Sequence, residues 1–276
     1  KRHVHTFIKM HDLVNYFVIF DARLTPISLT RECLIAIAKR RTGIGCDQII
    51  TLEPSKNADL TMRIYNSDGG EAEACGNAAR CVAKLVMQEK GSNDAIIQVA
   101  TTILHAHGTT DGLISIDMGI PKFHWEEIPL SSPQDTLHMR LEKDSLTDPV
   151  AINMGNPHAV FFVDDVTRVP LERLGPDLEN HPIFPKKANI GVAEVQNQKE
   201  IRLRVWERGA GLTLACGTGA CAALVAAHQR NLCDREAEIR VDGGVMRVEW
   251  KDNNHVLLTG PATLTFDGDV DTYSFL

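Results

Sequence analysis

An internal duplication is the feature that most constrains the fold of this 276-residue chain. The tripeptide Ala-Cys-Gly occurs at 74–76 and again at 215–217, an offset of 141 residues (216 − 75). The same offset aligns LTMRIYNSDGG at 60–70 with IRLRVWERGAG at 201–211, with apolar, aromatic and Arg positions in phase. A period of this length is too long for a solenoid. It predicts two homologous domains that face each other across a ligand cleft.

Polar residues also align at this offset, which suggests that the two copies share a functional arrangement. The aligned pairs are Asn15 with Asn156, Gln48 with Asn189, Asn66 with Glu207, Ser67 with Arg208, and Asn77 with Thr218. The copies run from about 6 to 119 and from about 147 to 260, and each ends at a Gly close to a Pro. We therefore expect an N-terminal domain at 1–120, to which 264–276 returns, and a C-terminal domain at 121–263.

Local patterns predict an α+β fold that is rich in strands. In the first copy, FVIFD, DLTMRIYN, AIIQVAT and GLISIDMG are β-branched segments separated by Gly, Asn or Asp, as in short strands. The segment after Cys75 places apolar residues at helical spacing up to Gly91. The segment after Cys216 is Ala-rich and apolar on nearly all sides, which predicts a buried helix. The two cysteines thus begin equivalent helices in a pseudo-two-fold arrangement.

Composition excludes several classes of function. With 29 basic and 36 acidic residues the net charge is −7, and no basic block marks a nucleic-acid partner. No run approaches 18 uncharged apolar residues and no signal peptide is visible, so we expect no membrane partner and a cytoplasmic location. The seven cysteines have wide, irregular spacing and no C-x-x-C, which predicts reduced thiols and no metal site.

The positions of Cys75 and Cys216 favour catalysis. A helix start presents unpaired N–H groups and a partial positive charge, which bind anions and favour a thiolate. Two such thiols can invert a carbon acid, because one removes a proton and the other returns a proton to the opposite face. The remaining cysteines fit the usual role of small buried hydrophobic residues.

Glu207 and Arg208 are adjacent charges at the end of a strand, just before the second cysteine turn. Together they could hold the ammonium and carboxylate groups of one amino-acid substrate. The alternative is a surface ion pair that contributes less than about 1 kcal/mol. For Ser67 and Asp68 a turn or capping role is the better interpretation.

Three segments resemble the diaminopimelate epimerase family: ACGNAARC at 74–81, WERGAG at 206–211 and ACGTGAC at 215–221. The similarity extends over essentially the whole chain. The resemblance implies two similar domains, each with strands wrapped around a central helix, and cofactor-independent interconversion of LL- and meso-diaminopimelate. It also implies that Cys75 and Cys216 are the two bases, one as thiolate and one as thiol, with the roles exchanged in the reverse direction. A homodimer is a further implication.

The resemblance also assigns substrate contacts by position. The backbone amides of Gly76, Asn77, Gly217 and Thr218 would hold the α-carboxylate and its developing charge. Three side chains would contact the reacting amino end, namely Asn15, Gln48 and Glu207. Four would recognise the distal end, namely Asn66, Asn156, Asn189 and Arg208. Pro157 and His158 match cleft-lining positions to which no role is assigned.

The chain departs from the family pattern at five positions. Asp12, Val14 and Tyr16 surround Asn15 where the family usually reads HGLGN-Asp-Phe, so side chains replace two glycines. If that loop needs a positive φ or moves during closure, Asp12 and Val14 would restrain it. Leu212 stands where Glu is usual, and Ala78 where Gly is usual. The missing carboxylate at 212 removes a possible hydrogen-bond partner beside the second cysteine turn, which could reduce efficiency or alter the substrate. The two cysteines, Glu207, Arg208 and the asparagines are all in place, so the family assignment is kept.

Three other functions remain open from the sequence. Proline racemase, hydroxyproline epimerase and phenazine-type isomerases share the superfamily, but a proline substrate has no distal amino acid for Arg208 to bind. Gly217-x-Gly219-x-x-Ala222, with Glu238 about 20 residues later, resembles a dinucleotide fingerprint, although the first copy lacks the second Gly. The third is a non-catalytic module that holds an amino acid.

Overall fold

The computed structural model describes residues 3–72 and 76–275, and it has an α+β fold in which strands predominate. Within those ranges the α-helices are α1 Arg31–Ala38, α2 Gly76–Lys90, α3 Leu171–Glu179 and α4 Gly217–Gln229. Short 3-10 turns span Val166–Arg168 and Thr272–Phe275. The strands are β1 Val4–His11, β2 Tyr16–Asp21, β3 Gln48–Glu53, β4 Leu60–Asn66, β5 Glu71–Ala72, β6 Asp94–Val99, β7 Thr102–Gly108, β8 Ile114–Asp117, β9 Glu142–Lys143, β10 Leu146–Thr147, β11 Val150–Asn153, β12 Pro157–Phe162, β13 Asn189–Asn197, β14 Glu200–Glu207, β15 Gly211–Thr213, β16 Glu236–Val241, β17 Gly244–Trp250, β18 Val256–Gly260 and β19 Thr263–Asp271.

The chain divides into two compact units. Unit 1 comprises 1–116 and 260–276, and unit 2 comprises 117–259. The sequence-based boundaries at 120/121 and 263/264 stay a prediction, since the units are defined by contacts and not by homology. Within the described part of the chain, none of the helices is long and apolar enough to span a membrane.

Unit 1 is a sheet against which α2 packs. Its strand order is β19-β1-β2-β3-β4-β6-β7-β8, with β5 also paired to β4. The pairs β2–β3 and β4–β6 are parallel, and the other pairs are antiparallel. Helix α2 packs against β6 and β7 and ends where Gly91 takes a positive φ of 63°, as the Gly at that position predicts.

Unit 2 repeats this topology. Its strand order is β11-β12-β13-β14-β16-β17-β18, with β15 also paired to β14, and here β12–β13 and β14–β16 are the parallel pairs. Helix α4 packs against six strands, β11 to β14, β16 and β17. Every residue of α4 from Gly219 to Ala227 is buried, which confirms the prediction of a helix surrounded by its domain.

The strand registers confirm the sequence duplication. In unit 1 Phe17 pairs with Gln48, and in unit 2 His158 pairs with Asn189, which is the same register displaced by 141 residues. After α4 the displacement becomes 142, because Asp94 pairs with His107 whereas Glu236 pairs with Glu249 (236 − 94 and 249 − 107). Unit 2 therefore has one more residue than unit 1 between the start of its helix and the next strand, and the order of strand pairing is unchanged.

Candidate active site

Cys216 is the N-cap residue of α4. Its backbone is extended (φ −137°, ψ 110°), and its Sγ accepts a hydrogen bond from the backbone N–H of Gly219, with a sulfur-to-nitrogen distance of 3.3 Å. The side chain occupies the place of a capping Ser or Asp, and the residue is only 5% exposed. The equivalent thiol in the first copy, Cys75, lies outside the described residues, as do Glu73 and Ala74.

The surroundings of Cys216 favour the thiol over the thiolate. Burial, followed by the nearby carboxylate of Glu207, raises the pKa of Cys216 well above its usual range. The N–H of Gly219 and the hydroxyl of Thr218, whose Oγ1 lies 3.7 Å from Sγ, act in the opposite direction but do not prevail. The expectation that this helix start would favour a thiolate is therefore wrong for Cys216, because desolvation of the charged form outweighs the helix terminus.

Thr218, Asn156 and His158 form a polar network beside Cys216. Asn156 Nδ2 donates to Thr218 Oγ1 at 3.2 Å, and His158 Nε2 lies 2.8 Å from Asn156 Oδ1 and 3.1 Å from Thr218 Oγ1. An amide oxygen only accepts, so Nε2 carries the hydrogen. Burial, assisted by the charge of Arg208, lowers the pKa of His158 to about 3. The imidazole is thus neutral and buried.

Glu207 is the last residue of β14, and Arg208 begins the turn after it. Asn189, 3% exposed at the start of β13, accepts the backbone N–H of Arg208 through Oδ1 at 2.7 Å and donates through Nδ2 to the carbonyl of Pro157 at 3.0 Å. Arg208 is an exposed residue, and its Nη1 donates to the carbonyl of Lys186 at 3.1 Å. Asn189 therefore fixes the backbone of Arg208, while the Arg208 side chain bonds to the carbonyl of Lys186.

Unit 1 brings together the aligned polar residues of the first copy. Gln48 at the start of β3 and Asn66 at the end of β4 face each other in register, and Gln48 Nε2 donates to Asn66 Oδ1 at 3.0 Å. A turn follows in which the N–H of Gly69 donates to the carbonyl of Asn66 at 2.9 Å. The pair Gln48 and Asn66 thus occupies the same strand ends that Asn189 and Glu207 occupy in unit 2.

A second group in unit 1 connects Asn15 with Asn77. The backbone N–H of Asn15 donates to Asp12 Oδ1 at 3.1 Å, and Asp12 Oδ2 accepts from Arg80 Nη2 at 2.9 Å. The same Nη2 donates to Asn77 Oδ1 at 3.1 Å, so the Asn77 side chain is directed toward Arg80. Neither Asp12 nor Val14 has a positive φ, so their side chains do not strain this loop.

Four further positions from the sequence analysis lie at helix starts or among apolar side chains. Gly76 and Gly217 are the first residues of α2 and α4. Ala78 is fully buried in α2, and Leu212 on β15 packs against the apolar cluster of unit 2. In the described part of the chain, no group of three or more His, Cys, Asp or Glu side chains is placed to hold a metal.

Two residues of these surroundings were not singled out from the sequence. Arg80 lies within ACGNAARC, but nothing local shows that its guanidinium turns inward toward Asp12. Glu179 at the end of α3 accepts hydrogen bonds from Trp206 and Gly209 at 2.9 Å each. The sequence gives no signal of these two hydrogen bonds, because both donors are distant from Glu179 along the chain.

Comparison with known proteins places these features in a family. The model of the diaminopimelate epimerase family matches residues 7–124 and 150–265. The diaminopimelate epimerase of Acidiphilium cryptum is 51% identical over 265 residues, which cover 96% of each chain.

Among solved structures, a PhzF-family phenazine biosynthesis protein from Bacillus anthracis has a TM-score of 0.68 at 17% identity, with 97% of this chain and 99% of that chain covered. A hydroxyproline epimerase from Agrobacterium vitis has a TM-score of 0.66 at 12% identity, with 98% and 94% covered. Those two likenesses show the fold. The family model and the 51% identity show more: the chain belongs to the diaminopimelate epimerase family.

Proposed function

We propose that this protein is an amino-acid epimerase that interconverts LL- and meso-2,6-diaminopimelate at one α-carbon without a cofactor. The observation that carries the proposal is family membership together with a buried cysteine that caps a helix beside Glu207. The 51% identity to a protein named diaminopimelate epimerase supports the substrate.

The proposed mechanism uses Cys75 and Cys216 as a pair of proton carriers. The thiolate of Cys75 takes the α-proton of the substrate, and the thiol of Cys216 gives its proton to the opposite face of the same carbon. Cys75 then holds a proton and Cys216 is the thiolate, so the reverse reaction uses the same groups with exchanged roles. The raised pKa of Cys216 supports its entry into the reaction as the proton donor.

Backbone amides and side chains would bind the substrate in the manner that the family resemblance implies. N–H groups in the first turns of α2 and α4, at Gly76, Asn77, Gly217 and Thr218, would stabilise the α-carboxylate and the charge that develops on it. Asn15, Gln48 and Glu207 would contact the reacting amino end. Asn66, Asn156, Asn189 and Arg208 would bind the distal end. The exposure of Arg208 supports such a role, because a guanidinium can hold a ligand carboxylate with two hydrogen bonds.

Incubation of the reduced protein with LL-diaminopimelate in D₂O tests this function. No cofactor is added, and stereochemistry and α-deuterium are followed in wild type, Cys75→Ala and Cys216→Ala. We expect meso product that carries deuterium in the wild type and none in either variant. Turnover by either cysteine variant at the wild-type rate would contradict the two-thiol mechanism, and turnover of proline or hydroxyproline in place of diaminopimelate would contradict the substrate.

We further propose that the protein acts in lysine and peptidoglycan precursor synthesis, in the cytoplasm, as a homodimer. The names of its relatives support the pathway. Exposed apolar side chains on β1 and β19 support self-association, since Val4, Leu264 and Phe266 are each more than 40% exposed. Sedimentation equilibrium measures the assembly, and a monomer at micromolar concentration would contradict the dimer.

A further inference from the structure

Glu179 binds both ends of the segment that carries Glu207 and Arg208. It is the last residue of α3 and is 7% exposed. One carboxylate oxygen accepts from the indole N–H of Trp206 at 2.9 Å, and the other accepts from the backbone N–H of Gly209 at 2.9 Å. These two donors flank Glu207 and Arg208 in sequence. A single buried carboxylate therefore fixes both ends of the segment that the proposed function assigns to the substrate.

The chemistry of this contact requires a carboxylate. Two N–H donors converge on the side chain, so two acceptors are needed, and a carboxylate supplies one with each oxygen. An amide at position 179 would satisfy one donor and present its own NH₂ group to the other. Both of these donors, the indole N–H of Trp206 and the backbone N–H of Gly209, are neutral groups.

The surrounding packing leaves the turn little freedom. Gly175, one helical turn before Glu179, lies against the indole of Trp206, where a Cβ would be 2.4 Å from the indole Cγ. Gly209 and Gly211 have positive φ values of 78° and 79°, which suit Gly at these positions. On the other side of the turn, Asn189 holds the N–H of Arg208. The backbone is thus held at two successive N–H groups, and neither bond uses the Glu207 carboxylate or the Arg208 guanidinium.

We propose that Glu179 is a positioning residue for the epimerisation, which holds the turn of residues 206–209 so that Glu207 stays beside Cys216. This inference rests on the proposed function, which makes Glu207 a contact of the reacting amino group. Glu179 itself touches no reacting atom in this scheme. It acts through Glu207, so its effect on kcat should depend on the Glu207 carboxylate. A residue that contributes only to stability would show no such dependence.

A double-mutant cycle on the full-length protein tests the dependence. The variants are Glu179→Gln, Glu207→Gln and the double variant, with Glu172→Gln as a control on the exposed face of the same helix. The kcat and KM for LL-diaminopimelate, α-deuterium exchange and the thermal midpoint are measured for each. We expect Glu179→Gln to lower kcat about tenfold in the wild-type background, because small displacements of positioned groups are costly. In the Glu207→Gln background the further loss should be less than about threefold.

Three outcomes would overturn the inference. They are a Glu179→Gln enzyme within about twofold of wild type, equal fold losses in the two backgrounds, or a Glu207→Gln enzyme with full activity. The last would remove the role of Glu207 in the proposed function, whereas the first two leave that role intact. If Glu179→Gln does not fold, Trp206→Phe removes only one of the two bonds. Its smaller loss of kcat should likewise disappear in the Glu207→Gln background, and equal losses in both backgrounds would overturn the inference.

Discussion

Asp12 and Arg80 form an ion pair inside unit 1, with Oδ2 and Nη2 2.9 Å apart and neither side chain exposed. The pair joins the backbone of Asn15 to the side chain of Asn77, so it connects the loop after β1 to the first turn of α2. Gly260 lies against the guanidinium, where a Cβ would be 3.1 Å from Cζ. Asp12, at a position where the family resemblance implies Gly, thus serves as the partner of a buried cation.

Removing either member of this pair should leave an uncompensated charge in the interior. We expect Asp12→Ala or Arg80→Met to lower the free energy of unfolding by about 3–5 kcal/mol, and the double variant to lose less than the sum. Urea unfolding measures all three. The pair of Arg23 and Glu89, 2.9 Å apart with Glu89 exposed, is the control, and Glu89→Ala should cost less than about 1 kcal/mol. Additive losses at Asp12 and Arg80 would contradict the coupling.

The carboxylate of Glu207 should slow the alkylation of Cys216. It is one cause of the raised pKa of this thiol, so its neutralisation in Glu207→Gln lowers that pKa and increases the thiolate fraction at a given pH. We expect iodoacetamide to label Cys216 several-fold faster at pH 8 in the variant, followed by peptide mass spectrometry. Cys216→Ser controls for labelling elsewhere. An unchanged or slower rate would show that Glu207 does not set the thiol pKa.

The duplication allowed much of the fold to be predicted, because side-chain alternation and helical spacing are local properties. Strands β2, β4, β6 and β8 lie where the β-branched segments predict them. The buried α4 followed from a composition that is apolar on all sides. A constant offset fails wherever residues are gained or lost: unit 2 has one more residue between the start of α4 and β16, and the turn between β11 and β12 is one residue shorter than the turn between β1 and β2.

The hydrogen-bond partners could not be predicted in the same way. Asp12 and Arg80 are 68 residues apart, and Trp206 and Glu179 are 27 apart. Such pairs form because tertiary packing buries both groups together, and no local pattern records this. The thiolate prediction for Cys216 failed for a related reason: the helix start is visible in the sequence, whereas the depth of burial that opposes it is not.

Gly219 should be needed next to the sulfur of Cys216. A Cβ at this position would lie 3.0 Å from Val205 Cγ2 and 3.1 Å from Cys216 Sγ, so Gly219→Ala must displace one of them. The better helix propensity of Ala, about 1 kcal/mol over Gly, offsets the crowding, and the thermal midpoint should change little. We expect kcat to fall about tenfold. Gly191→Ala is the control, because its Cβ would be 3.7 Å from the nearest atom, Leu203 Cδ1. A Gly219→Ala enzyme with wild-type kcat would show that the sulfur position tolerates displacement.

His158 should make the stability of the protein depend on pH. Its pKa is about 3 in the folded protein, whereas an unfolded chain returns it to about 6.5. Between these values the unfolded state binds a proton that the folded state does not, so the free energy of unfolding falls as the pH is lowered. His158→Gln removes this contribution and retains an N–H donor for Asn156. The stability advantage of wild type over His158→Gln should therefore be largest near pH 7 and shrink by about 2–3 kcal/mol by pH 4.5. Urea unfolding of both proteins across this range measures the difference, and a constant difference would mean that the imidazole is not buried in its neutral form.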